Sequence, residues 1–332
     1  YLQSVSNYGN NQSHIPAACS KRAIHSRHVG HAADICCPVA LYILSQIDHA
    51  PNWLHYDCAL RRVYFFSVAP TRRIKTGLRA IMTDHALVTG AAKRIGRFLA
   101  SHLASQGFSV SVHFNTSQSE AQQLVDEIIG NGGKAVALKA DLSNMEQVRQ
   151  LECDAAAAFG PINMLINNAS TFENDEVGTI TDESWDAHMK PNLQAPIILS
   201  QAVANRLPAG KKGHIINLID QRVWALTPRF TSYTLSKAAL WSATQTLAQA
   251  LAPDIRVNGI GPGPTLSNVR QSSEDFQNQI DGTILQVQPQ LDEFAAAIDF
   301  IRNAPSMTGQ MIALDSGQHL AWETPDVVGS FE

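Results

Sequence analysis

Seven short apolar runs, separated by stretches of helical length and pattern, organise the chain from residue 82 to residue 332. They are His85-Ala-Leu-Val-Thr, Phe108 to Phe114, Lys134 to Ala140, Met164-Leu-Ile, His214 to Ile219, Ile255 to Ile260 and Gln310 to Asp315. In the second, Phe108, Val110, Val112 and Phe114 alternate with polar residues, which is the period of a strand. Between the runs the pattern predicts helices. The first ends near Gln106, with Ile95, Phe98, Leu99 and Leu103 on one face and Gly107 as its stop. Others are expected from about Ser119 to Gly130, from a capping box Ser143-Asn-Met-Glu146 to near Phe159, and over about 183–206, 231–250 and 291–303. Parallel strands need a crossover, and short apolar strands alternating with helices supply one each time. The expectation is an α/β fold: a single doubly wound domain, with a parallel seven-stranded sheet and helices on both faces. The stretch 265–288 is the least regular, rich in Ser, Gln and Asp, and is expected to be a mobile lid.

Before residue 82 the chain is a different kind of sequence. Residues 1–81 carry nine Lys or Arg and three Asp, no Glu, four of the five cysteines and six of the twelve histidines; the first methionine is Met82. The remainder carries sixteen basic and twenty-six acidic residues, so the whole-chain net charge of −4 describes neither part. Three readings compete for 1–81. Cys36, Cys37, His49, His55 and Cys58 would be the ligands of a metal module, but adjacent Cys36 and Cys37 do not form the CxxC pairs of structural zinc sites. An acidic-poor stretch with Arg and Ser is one property of transit peptides. The third reading is upstream sequence translated in frame with a gene that starts at Met82. This last is the expectation, with a poorly packed extension that takes no part in the chemistry. For the rest, 45% hydrophobic and 16% charged residues exclude a disordered chain, a collagen and a coiled coil. Nothing in the bulk charge points to nucleic acid, and no apolar run approaches the ~18 residues of a membrane span.

The first strand runs straight into Thr89-Gly90-Ala-Ala-Lys-Arg94-Ile95-Gly96 and then a helix. Glycines at such a turn let backbone approach a pyrophosphate, and the helix N-terminus offers N–H groups and positive dipole to it. Sites for NAD place an acid about 20 residues on, for the ribose 2′-hydroxyl. Here the second strand ends His113-Phe-Asn-Thr-Ser117, without one. A 2′-phosphate needs cations and hydroxyls, so NADP(H) is the expected cofactor, with Arg94 and Ser117 as its contacts. Tyr233 and Lys237 lie four apart on one helix face, where a cation beside a phenol lowers its pKa and makes it a better acid.

With these pieces in place the chain from 82 to 332 resembles the short-chain dehydrogenases/reductases, which build a Rossmann-type domain. The pieces that carry the resemblance are Thr89–Gly96, Asp141-Leu142, Asn167-Asn-Ala169, Asn192, Tyr233 with Lys237, and Pro262-Gly263. The resemblance implies that Gly90, Ile95 and Gly96 cradle phosphate. It implies that Asp141 and Leu142 border the adenine and that Asn167 and Ala169 flank the cofactor. Asn192 would hold a proton-relay water, Lys237 would also bind the nicotinamide ribose, and Pro262 and Gly263 would line the nicotinamide pocket. It further implies a homotetramer packed through the helices near 183–206 and 231–250. A single cysteine in this part, Cys153, suits a reducing cytoplasm.

One departure is informative. Most of that family has Ser thirteen residues before the Tyr; this chain has Asp220. Asp with Tyr and Lys, the Thr-Gly-Ala-Ala-Lys-Arg-Ile-Gly turn, and Asn167-Asn-Ala-Ser170-Thr-Phe172 together resemble the pteridine reductases and bacterial dihydromonapterin reductases. That likeness implies reduction of a C=N bond in a small pterin-type molecule, Ser170 contacting substrate or cofactor and Phe172 stacking on the flat ring. A carboxyl group is a far better acid than a Ser hydroxyl for protonating nitrogen, and a buried Asp beside tyrosine tends towards a raised pKa. Where those reductases carry a basic residue after the second strand, Thr116 stands here, which loosens the preference for NADP. Trp224 either walls the pocket or is structural. The rivals are a carbonyl reductase acting on a ketone and a non-catalytic NADP-binding regulator. No metal is expected in the site.

Overall fold

The computed structural model describes residues 84–267 and 271–322. The expectations for residues 1–81, the cysteine and histidine ligands among them, lie outside the described residues. The seven strands are β1 (His85–Val88), β2 (Ser109–Phe114), β3 (Lys134–Lys139), β4 (Met164–Asn167), β5 (Gly213–Leu218), β6 (Ile255–Pro262) and β7 (Met311–Leu314). They form one sheet in the order β3-β2-β1-β4-β5-β6-β7, and every neighbouring pair is parallel. The helices are α1 (Arg94–Ser105), α2 (Gln118–Gly130), α3 (Met145–Phe159), α4 (Asp182–Met189), α5 (Ala195–Arg206), α6 (Thr231–Leu251), α7 (Ser273–Asp281) and α8 (Leu291–Asn303).

Period-two alternation divides β1, β4 and β5 between two cores. Ala86 and Val88 of β1, Met164 and Ile166 of β4, and Ile216 and Leu218 of β5 share one core with Leu99, Leu103, Leu124, Ile128 and Phe294 from α1, α2 and α8. Leu87, Leu165 and Ile215 point the other way, against Leu151, Leu199 and Val203 of α3 and α5 and Ala248 of α6. Leu99 and Leu103 are fully buried, so truncating either to alanine costs about 2–5 kcal/mol. Chain order reverses between β1 and β4. The crossovers leave in opposite directions there, and a crevice opens beyond the strand C-termini.

Three expectations need correction. The helix expected over 183–206 is continuous, but Lys190–Gln194 winds as a π turn between α4 and α5. Pro191 and Pro196 each remove an N–H from the α-helical ladder, which favours this local widening. The stretch 265–288 is not wholly irregular: it contains α7, whose first turn is closed by a capping box between Ser272 and Asp275. That signature stands in the sequence, masked by a low content of apolar residues. At α3 the capping residue is Asn144, whose Oδ1 accepts from the Glu146 and Gln147 N–H groups, while Ser143 turns back to Asp141.

Candidate active site

The turn after β1 is fixed from two sides. Thr89 Oγ1 accepts from the Asn168 and Ala169 N–H groups at 2.9 and 3.0 Å and donates to the Ile166 carbonyl. His113, at the end of β2, accepts the Gly90 N–H through Nδ1 at 3.0 Å, with Nε2 3.1 Å from the Ala140 carbonyl. Burial pushes its pKa down to about 4, so the ring is neutral and free to accept at Nδ1. Gly90 has φ of +61°. A Cβ on Gly96 would lie 2.4 Å from the Gly90 carbonyl oxygen and 2.5 Å from Asn168 Nδ2. The close packing of turn on helix therefore admits no side chain at Gly96. No side chain caps α1 and no acid stands in its first turn, so its N–H groups and dipole face the crevice without competition.

Three cavities follow the strand ends and share walls. One of about 320 Å³ is bordered by Gly90, His113, Asn115, Asp141, Leu142 and Ala169. A second, of about 750 Å³, runs past Gly96, Ala169, Ser170, Tyr233, Lys237 and Pro262. The third, of about 800 Å³, lies between Phe172, Asp220, Arg222, Phe230, Pro262 and α7. Gly263 belongs to both of the larger ones and is held by packing, since a Cβ there would meet Asp315 Cα at 2.5 Å.

Tyr233 donates its phenol proton to Asp220 Oδ2 at 2.6 Å. Asp220 Oδ1 accepts the Arg222 N–H at 2.9 Å, opening a single 3-10 turn at Gln221–Val223. Asp220 is half-buried rather than buried. Lys237 is buried and donates through Nζ to the Leu218 carbonyl at 2.8 Å, with Nζ 5.8 Å from the Tyr233 ring centroid. The expected acidification of the tyrosine is reversed. Burial and the neighbouring Asp220 carboxylate hold the Tyr233 pKa well above 10. It is Lys237 that shifts down, to about 8, because its ammonium is desolvated.

The remaining expected residues separate into those at the cavity walls and those behind them. Asp141, Leu142, Ala169, Ser170, Pro262, Gly263 and Ile95 line the crevice. Asn167 does not: it is buried between strands, donating to Asn217 Oδ1 at 2.8 Å, and its neighbour Asn168 lies in the wall. Asn192 uses its whole amide internally. Nδ2 donates to the Thr171 carbonyl and to Ser236 Oγ, and Oδ1 accepts the Thr171 N–H. Its side chain therefore braces the loop that carries Phe172 and has no donor left for a water. Arg94 departs from the expected role at a 2′-phosphate. Its guanidinium donates to the Ser267 and Leu266 carbonyls at 2.6 and 2.8 Å, and the residue borders both of the larger cavities. Ser117 sits at the start of α2 without a capping bond. Trp224 packs edge-on against Trp241 and His319, outside the cavity walls.

Two features escaped the sequence pattern. Lys93 pairs with Glu120 in the first turn of α2 at 2.8 Å, which puts a cation beside the end of β2. Asp175 caps α6 from a distant loop: its Oδ1 accepts the Ser232 N–H at 3.0 Å and its Oδ2 the Ser232 hydroxyl. The local N-cap residue, Phe230, has φ of 56° and no capping side chain. Burial works to raise the Asp175 pKa, but the Ser232 and Ser184 hydrogen bonds and nearby His188 outweigh it and lower the value. No short-range motif announces a cap supplied from so far along the chain.

The family model described as short chain dehydrogenase matches residues 84–278. A 3-oxoacyl-[acyl-carrier-protein] reductase of Synechocystis is 31% identical over 249 residues, which is 72% of this chain and 98% of that one. A short-chain type dehydrogenase/reductase of Picea abies is 34% identical over 193 residues, 55% of this chain and 71% of its own length. Among solved structures, FolM alternative dihydrofolate reductase 1 of Brucella canis, complexed with NADP, superposes with a TM-score of 0.72 at 49% identity. It covers 74% of this chain and 98% of its own. The Brucella suis protein, also with NADP, gives 0.72 and 50% with the same coverage.

Proposed function

Since this chain belongs to the short-chain dehydrogenase family, we propose that it is an NADPH-dependent reductase of a C=N bond in a pterin-type substrate, a dihydropterin, dihydromonapterin or dihydrofolate. The observation that carries the reading is the Tyr233–Asp220 hydrogen bond of 2.6 Å facing a cavity walled by Phe172. The FolM neighbours, about half identical to this chain and solved with NADP, support both the cofactor and the substrate class.

The cradle fits a dinucleotide: Gly96 packs on the Gly90 carbonyl too closely for any side chain, which leaves backbone to line the turn, and no side chain caps the α1 N-terminus. Gly90, Ile95 and Gly96 would hold the pyrophosphate, Asp141 and Leu142 the adenine, and Lys237 the nicotinamide ribose. Ala169, Pro262 and Gly263 would bound the nicotinamide. Ser117 with Lys93, rather than Arg94, would meet the 2′-phosphate, Lys93 exchanging its Glu120 partner for it. When bound, NADPH supplies the hydride.

The protein's task is the proton. A C=N bond that gains hydride at carbon must gain a proton at nitrogen. In the observed pair one proton is shared, on the phenol and pointed at the carboxylate. Giving that proton away would leave phenolate beside carboxylate, two anions in contact. A proton delivered from the pair to nitrogen therefore has to be replaced from solvent. Lys237 offsets negative charge on the pair from behind the ring. Asn192 and Asp175 position Phe172 and Tyr233 through Thr171 and Ser232.

The test is a panel of dihydropterins, dihydrofolate and 3-oxoacyl thioesters with NADPH, followed by loss of NADPH absorbance, on wild type and Asp220→Ser. Turnover of pterins that collapses in Asp220→Ser supports the reading. Thioester turnover with unaffected pterin rates in Asp220→Ser would sink it in favour of a carbonyl reductase, the activity named for the Synechocystis relative. We further propose a cytoplasmic homotetramer packed through α4, α5 and α6, which light scattering of the purified protein tests. Among the described residues no helix is long and apolar enough to cross a membrane.

A further inference from the structure

The wall opposite the cofactor cradle is built from a stack of side chains. The Phe172 and Phe230 rings lie 4.4 Å apart at centroids and 13° from parallel. The Arg222 guanidinium carbon is 5.2 Å from the first centroid and 5.0 Å from the second. Near-equal distances to two stacked rings put the guanidinium beside the pair, not on the outer face of either. Attraction to the rings at these distances holds the cation but satisfies none of its N–H donors. Arg222 also makes no ion pair among the described residues. The adjacent Asp220 carboxylate bonds its backbone N–H and Tyr233, not its side chain. Arg222 Nη1 is buried and has no hydrogen-bond partner. A buried charged donor left unmatched is costly and calls for an acceptor that enters from outside.

Phe230 supplies the second half of the argument. It is a bulky residue at φ of 56°, a left-handed conformation that costs free energy and persists only where surroundings enforce it. Its ring lies flat on the face of Phe172 within the cavity, where a flat substrate ring would stack. A heterocycle taking that place would turn its edge, not its face, to Arg222.

We propose that Arg222 is the specificity-determining residue of the substrate cavity. It donates in plane, through Nη1 and its neighbouring N–H groups, to an oxo oxygen on the edge of a planar heterocycle that takes the place of the Phe230 ring on Phe172. Guanidinium is suited to this because its donors form a rigid planar fork. The inference rests on the pterin reading above and adds which edge of the ring is recognised and by what.

The experiment compares an oxo-bearing dihydropterin with its amino counterpart, in which the edge acceptor becomes a donor, on wild type, Arg222→Met and Arg222→Lys. Readouts are KM and kcat for the oxo compound, the dissociation constant of each compound in the presence of NADP, and NADPH affinity. Wild type is expected to prefer the oxo compound. Arg222→Met is expected to raise its KM at least about tenfold and to erase the preference, with NADPH affinity unchanged. Arg222→Lys keeps charge without the fork and is expected to recover only part, which also covers the case in which Arg222→Met does not fold. Unchanged KM and preference in a variant that still binds NADPH would overturn the inference, as would an equal loss for both compounds. A wild type inert towards every pterin would overturn the functional reading itself, and this inference with it; the two failures differ in whether wild type turns over.

Discussion

The two sides of the crevice are built by different means. The cofactor side is mostly backbone: the turn from Thr89 to Gly96, pinned by Thr89 to the end of β4 and by His113 to the end of β2. The substrate side is mostly side chain: Asp220, Arg222, Phe172, Phe230 and Tyr233 arrive from separate segments and hold one another. A backbone site tolerates little change in shape and serves any member of a family. A side-chain site changes its chemistry with one substitution. On the proposed reading, Asp220 in place of the family's Ser alters which proton the site can give without touching the cradle.

The largest expected effect lies on the side-chain wall. Tyr233→Phe removes the proton shared with Asp220, and kcat should fall about 100- to 10,000-fold, the usual range for a lost acid. NADPH affinity, measured by fluorescence titration, should be unchanged; a parallel loss of affinity would blur the division between the two sides. Next comes the cradle. Gly96→Val drives a side chain into the Gly90 carbonyl. At about 1–3 kcal/mol of strain, NADPH should bind about 10- to 100-fold more weakly, and bound pterin turnover at saturating NADPH should be kept.

Lys237 links the two sides and makes opposite predictions for activity and stability. Its pKa of about 8 means the ammonium is present below pH 8 and lost above it, so kcat/KM should decline as pH rises through about 8. The folded value lies below the ordinary 10.5, so burying the charge destabilises the unliganded fold most below pH 8, and that penalty fades between about 8 and 10.5. Lys237→Met should therefore abolish turnover while its melting temperature at pH 7 does not fall. A clear drop would mean that the Leu218 hydrogen bond outweighs the desolvation.

The smallest effect concerns the remote cap. Asp175→Asn weakens the capping of α6 and should cost about 1 kcal/mol, read as a lower melting temperature at pH 7. Because the Asp175 pKa is held below its ordinary value, its contribution is present at neutral pH and lost as pH falls through the folded value. Wild type and variant should converge in stability in acid. A gap that persists there would assign the loss to packing instead.

Much of this was legible in the residues. Strand and helix periods gave the seven parallel strands: β1 and β4 read as near-continuous apolar runs, while β2 alternates although its Ser109, Ser111 and His113 are buried as well. That Gly90, Gly96, Asp141, Ala169, Tyr233 and Pro262 meet at the crevice was legible because their placement depends on local spacing around one turn, one helix or one strand end. Amphipathic pattern does not reveal α7, although Ser272 and Asp275 carry its cap. Arg94 and Asn167 were assigned by position in a motif, but a side chain's direction follows from what it can bond. Arg94 found the Leu266 and Ser267 carbonyls and Asn167 found Asn217.

Sequence by itself determined the sheet, the crevice at the reversal of strand order and the residue we propose as the acid, Tyr233, because each depends on residue type at short range. Only the tertiary structure decided the state of that acid and the company it keeps. Burial and a carboxylate raise the Tyr233 pKa where a lysine four residues away suggested the reverse. Asp175 caps a helix that begins more than fifty residues later. Arg222 is left with a buried donor and no partner. Desolvation, long-range hydrogen bonding and unmet valence are properties of what surrounds an atom, and the surroundings are assembled only when the chain folds.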